Sequence, residues 1–418
     1  MLRNQILDYL YFLNSHWRML LFGFLMVFCS SFGQTFFIGV FTPSIENHFE
    51  LSHSEWGVVF MVGTLLSALI LPLTGSLLDR TPLRTYAVVV SCFLGLACFS
   101  AGMSNSVFLL VVAVFLLRHA GQGLATHTAQ TGTLKYFESH RGKAVAVVGL
   151  GFPIARAILP VTAIFCISVV GWKATYILCG FLVLVCMLPS TLLLLPLDLE
   201  SLSGAKKKET ISATIVGKGG SGVTLKKALT SPLFYLLIPG FLVPSFLDTA
   251  LAFHVLLVAE LKQWPGVWVL SGYAIYGVMS IISSVCAGPI LDKFGSKQLL
   301  NYSLGPSILG LIVLIYCSHP IWAFVYLGLF GIVSGLRMTL IPFALSELYG
   351  IRYIASIRSF VAALSVFASA LGPPVLGLFL DLDFTITTIG MIYILYLVPA
   401  IALTMIATRL YVGNATKS

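Results

Sequence analysis

Three arginines and one aspartate lie within long apolar runs: Arg118, Arg156, Arg337 and Asp248. A charge at the bilayer centre costs about 2.5–3.5 kcal/mol on insertion scales, so it persists only where it is paired, hydrated or functional. Gln122 and Thr126 follow Arg118 by one and two helical turns and share its face. A guanidinium there would bind an anion on a cavity wall, or brace a neighbouring helix through backbone carbonyls. Arg156 lies between Pro153 and Pro160, and prolines free carbonyls that an arginine can bond. Two buried arginines on adjacent helices also repel unless an anion lies between them, which makes Arg156 a second substrate candidate. Asp248 falls one turn after Pro244; it would pair with an arginine across a pore, or titrate as a proton site. Arg337 lies nearer a helix end, where it would line the cavity or pair with Glu347. His119, His127 and His254 are embedded too. Histidine titrates in the useful range, so these three join Asp248 as proton-coupling or gating candidates, with hydrogen-bonded filling as the plain alternative.

The elements that carry these residues are set by composition. Of 418 residues, 58% are hydrophobic and only 9% charged, against roughly 25% charged in soluble domains. The apolar runs are continuous rather than alternating, and a bilayer-crossing helix needs about 20 mostly apolar residues, so an all-α membrane protein is expected. Twelve spans fit: 17–41, 54–78, 84–103, 106–130, 144–168, 172–195, 231–257, 265–290, 298–317, 321–346, 355–378 and 386–408. The segment before the first span reads as a short amphipathic helix at the membrane surface. Residues 196–230 form the one long polar stretch, rich in Lys, Gly and Ser, and read as a flexible cytoplasmic linker. That divides the chain into six-helix bundles at 1–195 and 231–418.

The net charge of +9 is spread over many short loops, and nucleic-acid binding is not expected. With both termini cytoplasmic, only Lys173 and Lys262 face outward and three arginines fall within spans; all other Lys and Arg lie inside. The eight cysteines lie in apolar runs without a CxxC pair, so neither a metal site nor a disulfide framework is expected. No HExxH, GxSxG or GxxxxGK[ST] pattern occurs, which argues against an enzyme and against ATP-driven transport.

The chain is internally duplicated. GSLLDRTPLR runs from Gly75 to Arg84 and GPILDKFGSK from Gly288 to Lys297, with Asp79 and Asp292 separated by the same 213 residues. Gly123-Leu124 recurs as Gly335-Leu336. Asp79 and Asp292 fall at helix ends, where a carboxylate can accept from a neighbouring helix N-terminus and pair with loop cations. Arg80, Arg141 and Arg358 are the candidate partners, in bonds that would hold an inner gate shut in one state and break in the other.

These residues resemble the loop signature of the major facilitator superfamily, G-x-L-a-D-r-x-G-r-k. The second copy matches at Gly288, Asp292, Lys293, Gly295 and Lys297; the first keeps Gly75, Leu77, Asp79, Arg80 and Arg84 but carries Pro82 at the second Gly. LRHAGQG around Arg118, HRGKA with Arg141 and Lys143, and GLGFPIARAILP resemble the bacterial branch near monocarboxylate and oxalate–formate transporters. The resemblance implies two pseudo-symmetric six-helix bundles in the inner membrane. It also implies alternating access about a central site, without a cofactor. Span one offers Gln34 and Thr35 where monocarboxylate carriers have lysine, and span eight lacks their Asp/Arg pair, so that branch's substrate residues are not carried over. The leading expectation is a monomeric, proton-coupled carrier of a small organic anion, bound by Arg118, Gln122, Arg156, Arg337 and Gln34. The rivals are efflux of hydrophobic or cationic compounds and a non-transporting receptor.

Overall fold

A computed structural model describes residues 2–137, 140–195, 223–350 and 352–415. In chain order the helices are α1 (Leu2–Ser30), α2 (Thr35–Ile38), α3 (Thr42–Phe49), α4 (His53–Gly75), α5 (Leu83–Gly102), α6 (Val107–Leu117), α7 (Thr126–Tyr136), α8 (Arg141–Gly149) and α9 (Gly151–Leu194). After the long polar stretch come α10 (Leu225–Leu229), α11 (Pro232–Phe253), α12 (Val255–Leu261), α13 (Gly266–Tyr302), α14 (Gly305–Tyr316), α15 (Trp322–Tyr349), α16 (Ile354–Asp381) and α17 (Ile386–Ala415). A π-helical segment, Arg118–Ala125, joins α6 to α7.

Among the described residues, ten stretches are long and apolar enough to cross a membrane, and Gly305–Tyr316 is a shorter apolar helix. One of the ten, Gly142–Leu194, has 53 residues. At about 1.5 Å per residue it is more than twice the roughly 30 Å hydrocarbon core. It takes in α8 and α9, and α9 is itself two helices meeting at Gly171, where φ is +80° and ψ 164°. Only glycine adopts that conformation at little cost. α13 breaks the same way at Gly295, with φ +76°. In the first motif copy Pro82 stands at the matching place with φ −51° and ψ 133°. Proline sets an extended entry into α5, where glycine supplies a left-handed turn in α13.

Two expectations change. Span one is not one helix over 17–41: it passes through a 3-10 turn at Ser31–Gly33 and an extended Gln34 before α2. The expected surface helix and span one meet at a second break, at His16. The linker 196–230 is not wholly irregular, because Leu225–Leu229 is helical. Thr224 caps it, Val223 N–H donates to Tyr349 O, and Ala228 packs with Phe234, Leu345 and Ile357. Residues 196–222, with Lys206, Lys207, Lys208 and Lys218, lie outside the described residues.

The chain forms two compact units. The first comprises Met1–Ile38, Val62–Ala155 and Phe165–Ala213; the second comprises Gly39–Met61, Arg156–Ile164 and Thr214–Ser418. In the first, Gly33 abuts the carbonyl of Leu117, and a Cβ on Gly121 would lie 2.8 Å from the Gly33 Cα. Paired glycines thus let the break in span one press against the π segment, as small residues do between helices in lipid. In the second, α13 and α15 meet through Gly331 against Tyr276 O and Gly335 against Ser280 O.

Candidate functional site

The second unit brings Arg156 and Asp248 together. Arg156 Nη1 donates to Asp248 Oδ2 at 3.5 Å and Nη2 to Oδ1 at 3.4 Å, fork against fork. These separations exceed the roughly 2.7–2.9 Å of a tight charged hydrogen bond. The arginine is 4% exposed and the carboxylate 36%, so Asp248 is the open side of the pair. The guanidinium carbon lies 3.6 Å from the Tyr276 ring centroid and 4.7 Å from that of Tyr273. Aromatic faces attract a cation and hold its plane without neutralising it. Tyr276 Oη also donates to Asp248 Oδ2 at 3.3 Å. The sequence reading offered Arg156 as a second arginine beside an anion and Asp248 as the partner of an arginine; the observed partner of each is the other. It gave no role to either tyrosine, although their three-residue spacing on α13 puts them on one face.

Arg118 and Arg337 have a common role. Arg118 is 2% exposed; its Nε donates to Thr64 Oγ1 at 3.1 Å, and its Nη1 to Gly33 O at 3.0 Å and Thr35 Oγ1 at 3.3 Å. It therefore satisfies the backbone where span one breaks. Gln34, in the break of span one, and Gln122, in the π segment, are both half-buried. Arg337, 7% exposed, donates from Nη2 to Phe241 O at 2.9 Å, between Pro239 and Pro244 of α11. Each unit thus has an arginine in the fourth helix of its half bonded to a carbonyl in the first. The pairing of Arg337 with Glu347 does not occur: Glu347 accepts from Ser296 Oγ at 2.5 Å and lies 3.9 Å from Lys297 Nζ.

The histidines separate. His119 is buried between Ser67 Oγ (3.4 Å) and Thr74 Oγ1 (3.1 Å), with Phe115 stacked on its ring. His127 lies beside Gly75 of the loop motif. His254 Nε2 is 3.0 Å from Pro373 O. A carbonyl only accepts, so that nitrogen carries the proton.

In the motif, Asp79 Oδ1 accepts from Lys135 Nζ at 2.8 Å, a partner not named from the sequence, and both side chains are open to solvent. Arg84 Nη2 donates to Leu192 O at 2.8 Å. Arg80, Asp292, Lys293 and Arg358 are exposed, Gly288 is half-buried, and the Lys293 ammonium lies 5.2 Å from the Phe294 ring centroid. The side chain of Arg141 lies outside the described residues.

At the opposite end of α4, His53 N–H and Ser54 N–H each donate to the Asp381 carboxylate at 2.9 Å. This caps α4 with a residue from α16. His53 Nδ1 is 2.9 Å from Glu46 Oε2. No spacing rule in the sequence joins His53 to Asp381, 328 positions away.

The Major Facilitator Superfamily model matches residues 23–373. Human monocarboxylate transporter 1 is 26% identical over 197 residues, 46% of this chain and 38% of that protein. A probable sulfoacetate transporter, SauU of Cupriavidus necator, is 29% identical over 145 residues, 34% of this chain and 33% of that protein. The chain therefore matches well under half the length of these two curated relatives. Among solved structures, a bacterial homolog of the human lysosomal transporter Spinster, inward-facing and occupied, aligns with TM-score 0.69 at 14% identity, covering 93% of this chain and 96% of that one. A mutant of the nucleoside transporter NupG aligns with TM-score 0.67 at 14% identity, covering 94% and 99%.

Proposed function

The chain belongs to the major facilitator superfamily, and from that premise we propose that it is a secondary transporter of a small organic anion, coupled to protons through Arg156 and Asp248. The observation that carries this is the loose, one-sided pair: a buried guanidinium facing a partly open carboxylate at 3.4 and 3.5 Å. A substrate carboxylate, or two of the three oxygens of a sulfonate, can present the same pair of acceptors to the arginine as the Asp248 side chain does. It can take that place on the arginine fork, which suits bidentate oxyanions. Asp248, released from the fork, keeps Tyr276 as its partner and is the group that would carry the coupled proton. Anion and proton would thus load together, and the cation clamp of Tyr273 and Tyr276 holds the guanidinium ready in both states. The names of the two relatives, a monocarboxylate and a sulfoacetate transporter, agree in substrate charge. An exporter of cations would need an uncompensated carboxylate at this place, and Asp248 has a partner.

The topology proposed with it is twelve crossings in two six-helix halves, 1–195 and 231–418, with both termini cytoplasmic in a bacterial inner membrane. The doubled length of Gly142–Leu194 and the short helix Gly305–Tyr316 support that count. In this reading Arg118 and Arg337 are braces rather than substrate ligands. The test is a thermal-shift panel of small carboxylates and sulfonates against the purified chain. A stabilising anion whose effect is lost in Arg156→Gln and kept in Arg337→Lys supports the assignment; stabilisation surviving Arg156→Gln removes it.

A further inference from the structure

Glu46 lies in α3, between the first two spans, and is 7% exposed. One carboxylate oxygen, Oε2, faces His53 Nδ1; the other, Oε1, is buried without a hydrogen-bond partner. His254, wholly buried, has its Nε2 on Pro373 O and its Nδ1 buried without a partner, and its ring is 6.3 Å from that of His53. The acids around His53 are Glu46, Asp381 and Glu260, all of which act on it electrostatically. Asp381 is answered by the two N–H groups opening α4, and the nearby Glu55 accepts from Ser52 N–H at 2.8 Å. Around this cluster Trp56 Nε1 donates to Thr42 Oγ1 at 3.1 Å and Thr42 Oγ1 donates to Phe253 O at 3.0 Å. A Cβ on Gly57 would lie 2.5 Å from the Pro374 Cα. Segments from early in the chain are thus closed against α11 and α16 around buried Glu46 and His254 and half-buried His53.

The charge balance of that set turns on one proton. With His53 neutral, Glu46 and His53 together carry one negative charge, beside the exposed carboxylates of Asp381 and Glu260. One proton from water makes the pair neutral overall, as imidazolium and carboxylate. Burial pushes the Glu46 carboxyl above its usual range, and the His53 hydrogen bond pulls it back. We infer that Glu46 and His53 form a proton-binding site on the contact of α3 and α4 with α11 and α16, and that the bound proton holds this contact closed. The two groups titrate as a unit. When the proton leaves, the surplus negative charge repels Asp381 and Glu260 and loosens the cap on α4. α4 runs from this site to Gly75 and the loop motif, so loosening here reaches both ends of one helix. The site is independent of the Arg156 reading and is tested without substrate.

Trp56 is fully buried within the contact and reports on it. Acrylamide quenching of the full chain in lipid nanodiscs, minus that of Trp56→Phe, isolates its signal. Quenching is expected to be low at about pH 5.5 and several-fold higher at about pH 8.5, across the histidine range. Glu46→Gln, neutral at every pH, and His53→Gln should both abolish that rise. A flat wild-type profile overturns the inference, as does a rise that persists in both variants; if one variant does not fold, the wild type and the other still decide.

Discussion

Arg156 and Asp248 show why a charge in the membrane has to be judged by its partner. Removing either leaves the other uncompensated. Because Asp248 is about one-third exposed, the cost for Arg156→Gln or Asp248→Asn is expected at about 1–3 kcal/mol, below the 3–5 kcal/mol of a fully buried pair. The double variant should cost less than the sum, and thermal melting of the four proteins measures that coupling. Arg118→Gln behaves differently. It strips a donor from Gly33 O and should destabilise by about 1–3 kcal/mol, while anion affinity per folded molecule stays near wild type. The presence of these charges was legible in the sequence, because insertion cost alone singles them out. That Asp248 would pair with an arginine was legible too; which of the three was not, since it depends on which helices meet. Arg118 stood out for the polar residues on its face, and of its two expected uses the bond to Gly33 O matches the helix brace.

Helix breaks at defined residues organise the elements. Gly171 and Gly295 hold φ at +80° and +76°, a conformation that side chains resist. Gly295→Ala is expected to cost about 1–3 kcal/mol and to disturb the Lys297–Glu347 junction beyond it, read as a lowered melting temperature. Gly335→Val should be worse. Its Cβ would meet the Ser280 carbonyl, so α13 and α15 must separate, at a cost of about 3 kcal/mol or more; loss of monodisperse protein in detergent would register it. Long apolar runs and polar loops made the helices legible at close to their observed places. The 3-10 turn at Ser31–Gly33 and the π segment at Arg118–Ala125 were not, because hydropathy has no register. A glycine pair, Gly33 and Gly121, was the available sign, and only their contact across helices gives it meaning.

For the whole molecule, duplication at an offset of 213 residues foretold a paired architecture, and the superfamily match bears out that family resemblance. The compact units do not follow the midpoint of the sequence: Gly39–Met61 and Arg156–Ile164 belong with the second half. Arg156, written in the first half, accordingly falls in one unit with Asp248, written in the second. The central claim is that this pair exchanges a protein carboxylate for a substrate anion and a proton. The most direct measurement is uptake of labelled small carboxylates and sulfonates into proteoliposomes, with and without an inward proton gradient. It compares wild type, Asp248→Asn and Arg156→Gln. Wild type should accumulate an anion about tenfold or more above the gradient-free level, one pH unit supplying that factor. Asp248→Asn should still exchange anion across the membrane but lose the gradient-driven excess, and Arg156→Gln should lose both. Gradient-driven accumulation that survives intact in Asp248→Asn and Arg156→Gln would contradict the assignment of this pair.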